Sequence, residues 1–90
     1  IAVLPFVNMS HDPEQDFFTD GITEDILTEL SRFRDLVVIS RTSSFAMKGR
    51  DLSIPEVAKE LDVRFVVEGS VRKAGNRIRV TVQLIDAETD

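Results

Sequence analysis

The sequence predicts an α/β domain whose elements run in the order strand, helix, strand, helix, strand, strand. Three observations predict it: an opening strand that is apolar on both faces, two helical patterns that each follow a capping sequence, and two closing β-rich runs joined by a tight turn. The 90 residues, 42% of them hydrophobic, suffice for one core. Since the chain opens without an initiator Met or a polar leader, we expect residues 1–90 to be a single domain within a longer protein.

The opening run is apolar from Ile1 to Val7. Apolar residues on both faces are typical of a strand buried between layers, as in a parallel sheet. Pro5 is tolerable there if its missing donor falls outside a ladder bond. We therefore predict a central strand.

A first helix is predicted from Asp12 to about Phe33. Asp12, Pro13 and Gln15 form a capping-box arrangement at its start. Gly21 costs about 1 kcal/mol relative to alanine, so we expect a helix break or a close approach to a strand there. The core-facing positions recur at spacings of three and four, and they are Phe18, Ile22, Ile26, Leu27, Leu30 and Phe33.

A second buried strand is predicted at residues 36–39, which are all apolar. The polar turn at residues 40–44 can start a short helix, and residues 48–52 are predicted to form a loop.

The second full helix is predicted to begin after Ser53 and to stop near Asp62. Ser53 can cap it, Pro55 falls in its first turn, and Glu56 completes a capping box. The residues expected on its buried face are Val57, Ala58 and Leu61.

The chain closes with an antiparallel hairpin, predicted from β-rich runs at residues 64–73 and 76–85 that are joined at Ala74-Gly75. The second run alternates between an apolar set expected to be buried and a polar set expected to be wet. The apolar set is Ile78, Val80, Val82 and Leu84, and the polar set is Arg77, Arg79, Thr81 and Gln83. The elements together predict a right-handed β-α-β-α-β layer with an antiparallel strand appended.

Charge is segregated along this chain of net charge −5. Residues 11–30 carry seven carboxylates and no Lys or Arg, whereas residues 31–50 carry five basic side chains and one acidic one, Asp35. Because the chain repels phosphate on average and has no Tyr or Trp for stacking, we predict no nucleic-acid partner. Its longest apolar stretch falls far short of the roughly 20 residues of a membrane span, so we predict no direct membrane insertion. The absence of cysteine leaves cytosol and periplasm equally open.

No catalytic, metal or cofactor site is predicted. A calcium loop aligned on Gly21 would place Phe18 and Leu27 at ligand positions, and neither can bind a metal. His11 is the only histidine and is interpreted as a solvated loop residue. No nucleophile elbow surrounds Ser43 or Ser44, and the glycines match no phosphate-binding fingerprint. An enzyme active site within these residues is not expected.

Several segments resemble the TolB-amino-terminal-like domain of bacterial signalling proteins. They are IAVLPF (1–6), DPEQ (12–15), DGITEDI (20–26), LSRF (30–33), SRTSSF (40–45), VEGSVR (67–72) and QLID (83–86). This resemblance covers essentially the whole chain. It implies a three-layer α/β domain with a mixed sheet of order 2-1-3-4-5, in which strand four is antiparallel. The family's fifth strand is absent here, which leaves the order 2-1-3-4.

Two surfaces follow as candidate sites. Ligands gather at the carboxyl ends of parallel strands, so we predict a small anionic ligand in a pocket made by Asn8, Ser10, Arg41, Thr42 and Ser43. The alternative is that Arg41 pairs with the acidic helix and that the hydroxyls satisfy the turn backbone. Without a fifth strand, strand four is an open edge, so we predict a protein partner or self-association there. The residues expected at that interface are Arg77, Arg79, Thr81 and Gln83.

The resemblance implies a non-catalytic sensory or adaptor domain of a bacterial signalling protein. In that family the domain often links a class III adenylate cyclase domain, or a winged-helix DNA-binding domain, to tetratricopeptide repeats. Two alternatives stay open: a regulatory segment of an adenylate cyclase whose catalytic domain lies elsewhere in the parent chain, and a purely structural connector to the repeats.

Overall fold

The structure is a computed structural model that describes residues 1–10 and 12–89. In chain order its elements are β1 (Ala2–Val3), β2 (Val7–Asn8), α1 (Gln15–Leu30), α2 (Arg41–Phe45), α3 (Ile54–Leu61), β3 (Phe65–Ala74) and β4 (Arg77–Asp86). The four strands form one mixed sheet in which β3 is central: β1 and β2 pair with it in parallel, and β4 pairs with it antiparallel.

The opening strand is interrupted, contrary to the prediction of one continuous strand. Ala2 pairs with Val66 and Val7 pairs with Ser70, so five steps along the first segment oppose four along β3. The extra residue falls in the stretch that contains Pro5, which has no N–H to give to a ladder. The interruption is therefore a bulge-like insertion that places proline where no donor is needed.

A threonine on α1 accepts a hydrogen bond from a backbone N–H next to this interruption. The Phe6 N–H donates to Thr23 Oγ1 at 2.9 Å, and the Thr23 hydroxyl donates to the Thr19 carbonyl at 3.2 Å. Both threonines are fully buried. They are the two buried residues of α1, which the apolar pattern alone did not reveal.

The core lies between α1 and the sheet. It is formed by Val3, Phe6, Val67 and Val71, and the partly buried Ile1, Ile22, Ile26, Leu27 and Leu30 pack against it. Four of the six predicted helix positions thus contact the core. Phe18 and Phe33 are instead 39% and 61% exposed. Phe33 lies beyond the end of the helix.

The absence of a side chain at Gly69 makes room for the Phe6 ring. A Cβ on Gly69 would lie 2.7 and 2.8 Å from two atoms of that ring. Such distances are sterically excluded, so the ring packs against bare backbone of β3.

Helix α1 differs from its prediction at its start and at Gly21. Asp12 does not cap the helix: its Oδ1 accepts from the Glu14 N–H at 3.0 Å, one turn ahead of α1, and Glu14 at the N-cap makes no side-chain cap. The helix runs through Gly21 without a break, and no atom lies within 4 Å of a Cβ built there. The predicted break and the predicted close approach are both wrong.

Residues 36–39 are not a strand, which corrects a second prediction. Ile1 makes two hydrogen bonds to them: its amino group donates to the Val37 carbonyl at 2.8 Å, and its carbonyl accepts from the Ile39 N–H at 3.0 Å. Val37 is 80% exposed. A buried parallel strand needs cover on both faces, whereas Leu36 and Val37 are exposed and Val38 and Ile39 are only half-buried.

The capping predicted for the second full helix is confirmed. In α3 the Ser53 hydroxyl accepts from the Glu56 N–H, and the Glu56 carboxylate accepts from the Ser53 N–H at 3.1 Å. These bonds lower the pKa of Glu56. The helix ends at Asp62, which adopts a left-handed conformation with φ 55°. Val57 and Ala58 are buried as predicted, whereas Leu61 is half-buried.

Two glycine substitutions should change stability in opposite directions. Gly21→Ala should raise the free energy of unfolding by about 0.5–1 kcal/mol, since the added Cβ meets open space inside a helix. Gly69→Ala should lower it by about 1–3 kcal/mol because the added Cβ would clash with the Thr81 backbone carbonyl and with the Phe6 ring. Urea denaturation of both variants checks this, and a shift of the same sign in both would contradict it.

The buried threonine hydroxyl should also contribute measurably. Thr23→Val keeps the side-chain shape but leaves the Phe6 N–H buried without an acceptor, so we expect a loss of about 1–3 kcal/mol. Thr28→Val is the matched control, because Thr28 is exposed on the same helix. Equal losses in the two variants would show that helix propensity, and not this hydrogen bond, is responsible.

Candidate functional site

One face of β4 carries a row of exposed apolar side chains. Ile78, Val80, Val82 and Leu84 were predicted to be buried, yet they are 50%, 41%, 54% and 62% exposed. Val67 pairs with Leu84 and Val71 pairs with Val80, and paired residues share a face of a sheet. Val67 and Val71 belong to the core beneath α1. The row of β4 therefore continues the α1 side of the sheet beyond the helix that would cover it.

The backbone of β4 is open along its outer edge. Among the described residues β4 pairs with β3 alone. The Ala87 N–H donates to the Arg64 carbonyl at 2.8 Å. This bond extends the ladder by one pair and shows which of its pairs are the hydrogen-bonded ones. Because bonded and non-bonded pairs alternate in antiparallel ladders, odd-numbered residues of β4 bond to β3. The N–H and C=O groups of Val80 and Val82 consequently point away from the sheet.

An ion pair fastens the far end of the hairpin. Arg64 donates to both carboxylate oxygens of Asp86, at 3.1 and 2.9 Å, and lies 3.4 Å from Glu88. The hydrogen bond from Arg64 lowers the pKa of Asp86 and, reciprocally, the pKa of Arg64 is raised. The near end closes through a turn at Gly75-Asn76, one residue later than predicted, with Gly75 at φ 60°. Both ends of the exposed strand are thus held.

The four residues predicted for the edge interface lie on the opposite face from the apolar row. Arg77, Arg79, Thr81 and Gln83 pair with Ala74, Arg72, Ser70 and Glu68, respectively. The sequence prediction named the polar side of the strand and missed the apolar side. The missed signal is that no further predicted element was available to cover a second apolar face.

At the strand ends, Asn8 and Ser10 are engaged within the turn that leads into α1. Asn8 Nδ2 donates at 2.8 Å to Asp16 Oδ1 and to the Asp12 carbonyl, and Asn8 Oδ1 accepts from the Ser10 N–H at 2.9 Å. Ser10 Oγ accepts from the Lys73 N–H at 2.7 Å. These bonds tie the end of β2 to the hairpin.

The remaining residues of the predicted anion pocket lie around α2. Arg41 pairs with Glu24 of α1, and its guanidinium carbon stacks 4.2 Å from the centre of the Phe45 ring. Ser40 caps α2 by accepting from the Ser43 N–H at 3.3 Å, and the Thr42 carbonyl accepts from the Ala46 N–H. The Arg41–Glu24 pair is the arrangement expected under the alternative interpretation.

The cavity that contains Asn8 does not include the α2 residues. It measures about 430 Å³ and is lined by the stretch 4–8, by Asp16, Thr19, Asp20 and Glu68, and by residues 47–50. Lys48 closes one side by pairing with Asp20 at 2.9 Å. An anion held jointly by Asn8, Ser10, Arg41, Thr42 and Ser43 stays a prediction.

Within residues 1–10 and 12–89, no group of three or more His, Asp or Glu side chains is placed to hold a metal ion. His11, interpreted above as a solvated loop residue, lies outside the described residues. In that same part of the chain no helix is long and apolar enough to cross a membrane.

Acid should reveal the ion pair that fastens β4. Arg64 holds the pKa of Asp86 below its ordinary value of 3.8. The ion pair therefore stabilises the fold fully above pH 3.8, and this stabilisation is lost as the pH falls through the pKa that Asp86 has in the folded state. Asp86→Asn should therefore have a lower Tm than the parent at pH 7, and the difference should shrink as the pH is lowered below 3.8. Asp51→Asn, at an exposed residue outside every described ion pair, is the control. A gap that persists at low pH would contradict the assignment.

Comparison with known proteins places this sequence in a family. The model of the HilA/YgeH-like transcriptional regulator second domain matches residues 1–90. A Rhizobium meliloti (strain 1021) protein named "Putative adenylate cyclase 3" is 62% identical over 89 residues, which are 99% of this chain and 15% of that protein. No solved structure matches.

These matches support a domain of signalling regulators. They do not show the TolB-like assignment or the association with tetratricopeptide repeats, which stay predictions. The expectation of no nucleic-acid partner also gains no support, because the family's description is that of transcriptional regulators. Since the family model covers every residue, the chain belongs to the HilA/YgeH-like transcriptional regulator second-domain family.

Proposed function

We propose that this chain is a non-catalytic regulatory domain of a bacterial signalling protein, and that it works by protein contact along β4. One observation carries the proposal: a ten-residue strand that presents both an open backbone edge and an exposed apolar row. Natural sheets protect such edges, and an unprotected edge is a template for strand addition.

The sequence of β4 is suited to pairing with a second copy of itself. An antiparallel two-fold placed at Thr81 sets Ile78 opposite Leu84 and Val80 opposite Val82. The outward N–H and C=O groups of Val80 and Val82 would then bond across the new ladder.

The opposite face of that pairing is compatible as well. It would set Arg79 opposite Gln83 and so would bring no two arginines directly together. The resulting sheet would join the two copies through one continuous ladder.

The relative's name supports a place in cyclase signalling. That protein is named an adenylate cyclase, and the present chain spans about 15% of its length. We propose that the domain regulates a catalytic domain located elsewhere in such a parent chain. The alternative, a structural connector, predicts that surface changes on β4 leave the output of the effector domain unaltered.

A proline at position 82 should block pairing with another strand without disrupting the hairpin. Val82→Pro removes an N–H that points to the open edge, so the ladder to β3 keeps its bonds while pairing with another strand is blocked. We expect the parent chain to dimerise in sedimentation experiments and Val82→Pro to be monomeric. Val82→Ala, which keeps the N–H and loses apolar surface, should dimerise more weakly.

A parent chain that stays monomeric at high concentration would rule out self-pairing. The regulatory role is tested separately by placing Val82→Pro in the full-length protein and measuring effector output. Output equal to that of the unsubstituted protein would favour the connector.

A further inference from the structure

Three arginines leave the same face of the hairpin near its tip. Arg72 lies directly opposite Arg79, and Arg77 lies opposite Ala74. Paired residues share a face, and alternate residues along a strand share it too, so the side chains of Arg72, Arg77 and Arg79 project to one side. All three are exposed.

The charge of this cluster is uncompensated within the described residues. Arg41, Lys48, Arg50 and Arg64 each pair with a carboxylate, whereas none of the three hairpin arginines does. Like charges directly opposite each other destabilise a sheet. In a chain of net charge −5, this cluster is a local basic surface that an external anion would stabilise.

Two adjoining hollows give the cluster the shape of a site. One of about 480 Å³ is lined by Arg72, Ala74, Arg77, Ile78 and Arg79. A second of about 180 Å³ is lined by Met9, Ser70, Arg72, Arg79 and Thr81. Arg72 and Arg79 line both.

The lining of these hollows is rich in donors and contains no carboxylate. Guanidinium groups offer planar pairs of N–H donors that match the oxygens of an oxyanion. Ser70 and Thr81, which are paired across the ladder, line the smaller hollow and add two hydroxyl donors. The first acidic side chain on this face is Glu68, one pair farther along, beyond the second hollow.

We propose that Arg72, Arg77 and Arg79, with Ser70 and Thr81, bind a compact phosphate-bearing ligand. Three guanidiniums match a group of two or more negative charges better than a carboxylate, which carries one. A compact ligand is favoured over a nucleic-acid backbone because the rest of the domain is acidic and repels an extended polyanion. The three arginines lie on the opposite face from the apolar row of β4, of which only Ile78 borders the larger hollow, and their binding of the ligand does not depend on strand addition.

Titration with inorganic tripolyphosphate tests the site. The parent chain should bind the probe in calorimetry, with affinity that falls as salt rises. The double variant Arg72→Gln with Arg79→Gln should bind at least about tenfold more weakly, since each lost guanidinium removes charge-assisted bonds. Arg32→Gln with Arg34→Gln is the matched control: it removes the same charge from the exposed segment after α1 and should leave binding unchanged.

A second measurement, the Tm, shows whether weaker binding by the double variant results from misfolding. Without probe at low salt, the Arg72→Gln and Arg79→Gln variant should melt at or above the Tm of the parent, because a like-charge pair is relieved. Tripolyphosphate should raise the Tm of the parent and of Val82→Pro alike, which separates this site from the β4 edge.

The proposal is overturned if tripolyphosphate does not bind, if both arginine double variants weaken it equally, or if only Arg41→Ala abolishes binding. The last outcome would place the anion at the strand ends instead. A short DNA duplex serves as the second probe. Binding of the duplex without tripolyphosphate, lost in the Arg72 and Arg79 variant, would overturn the compact ligand in favour of a nucleic-acid backbone.

Discussion

The hydrogen bond from the Phe6 N–H to Thr23 is the constraint on which the sheet and its covering helix depend. Proline at position 5 forces the opening segment to leave the ladder, and the backbone that leaves it must find an acceptor away from water. Thr23 supplies that acceptor from α1. The same residue, Phe6, then fills the space above Gly69. One irregularity in a strand therefore sets the position of a helix and requires a glycine in the neighbouring strand.

This arrangement explains why the buried face of α1 is polar at its centre. Apolar periodicity describes a helix that packs on side chains, and the half of α1 near Ile26 and Leu30 does so. At Thr23 the helix instead meets the buried Phe6 N–H, where a hydroxyl is worth more than a methyl group. One helix thus makes two kinds of contact: apolar packing near Ile26 and Leu30, and a hydrogen bond to backbone at Thr23.

Local signals predicted the parts of the fold that local chemistry decides. The Ser53 and Glu56 capping box needs only residues three apart, and the sequence shows it directly. Residues 36–39 were mispredicted because an apolar run shows only a preference for burial, and cover must come from other elements. The exposure of Val82 and Leu84 could not be predicted for the same reason. Alternation identifies which side chains share a face, but not whether another layer lies on it. The strand-end pocket was inferred with the help of the predicted strand at 36–39 and stays a prediction, while Arg41 pairs with Glu24 of α1.

The charges that are segregated in the sequence meet in the structure, where Glu24 pairs with Arg41 and Asp20 pairs with Lys48. The segment from Arg32 to Arg50 has no ladder of its own, and these half-exposed ion pairs are among its main links to α1. Such links weaken as ionic strength rises, whereas the apolar core beneath α1 does not. The molecule thus contains two zones that respond differently to ionic strength: an apolar core beneath α1 that added salt does not weaken, and the segment from Arg32 to Arg50, whose attachment to α1 added salt can loosen.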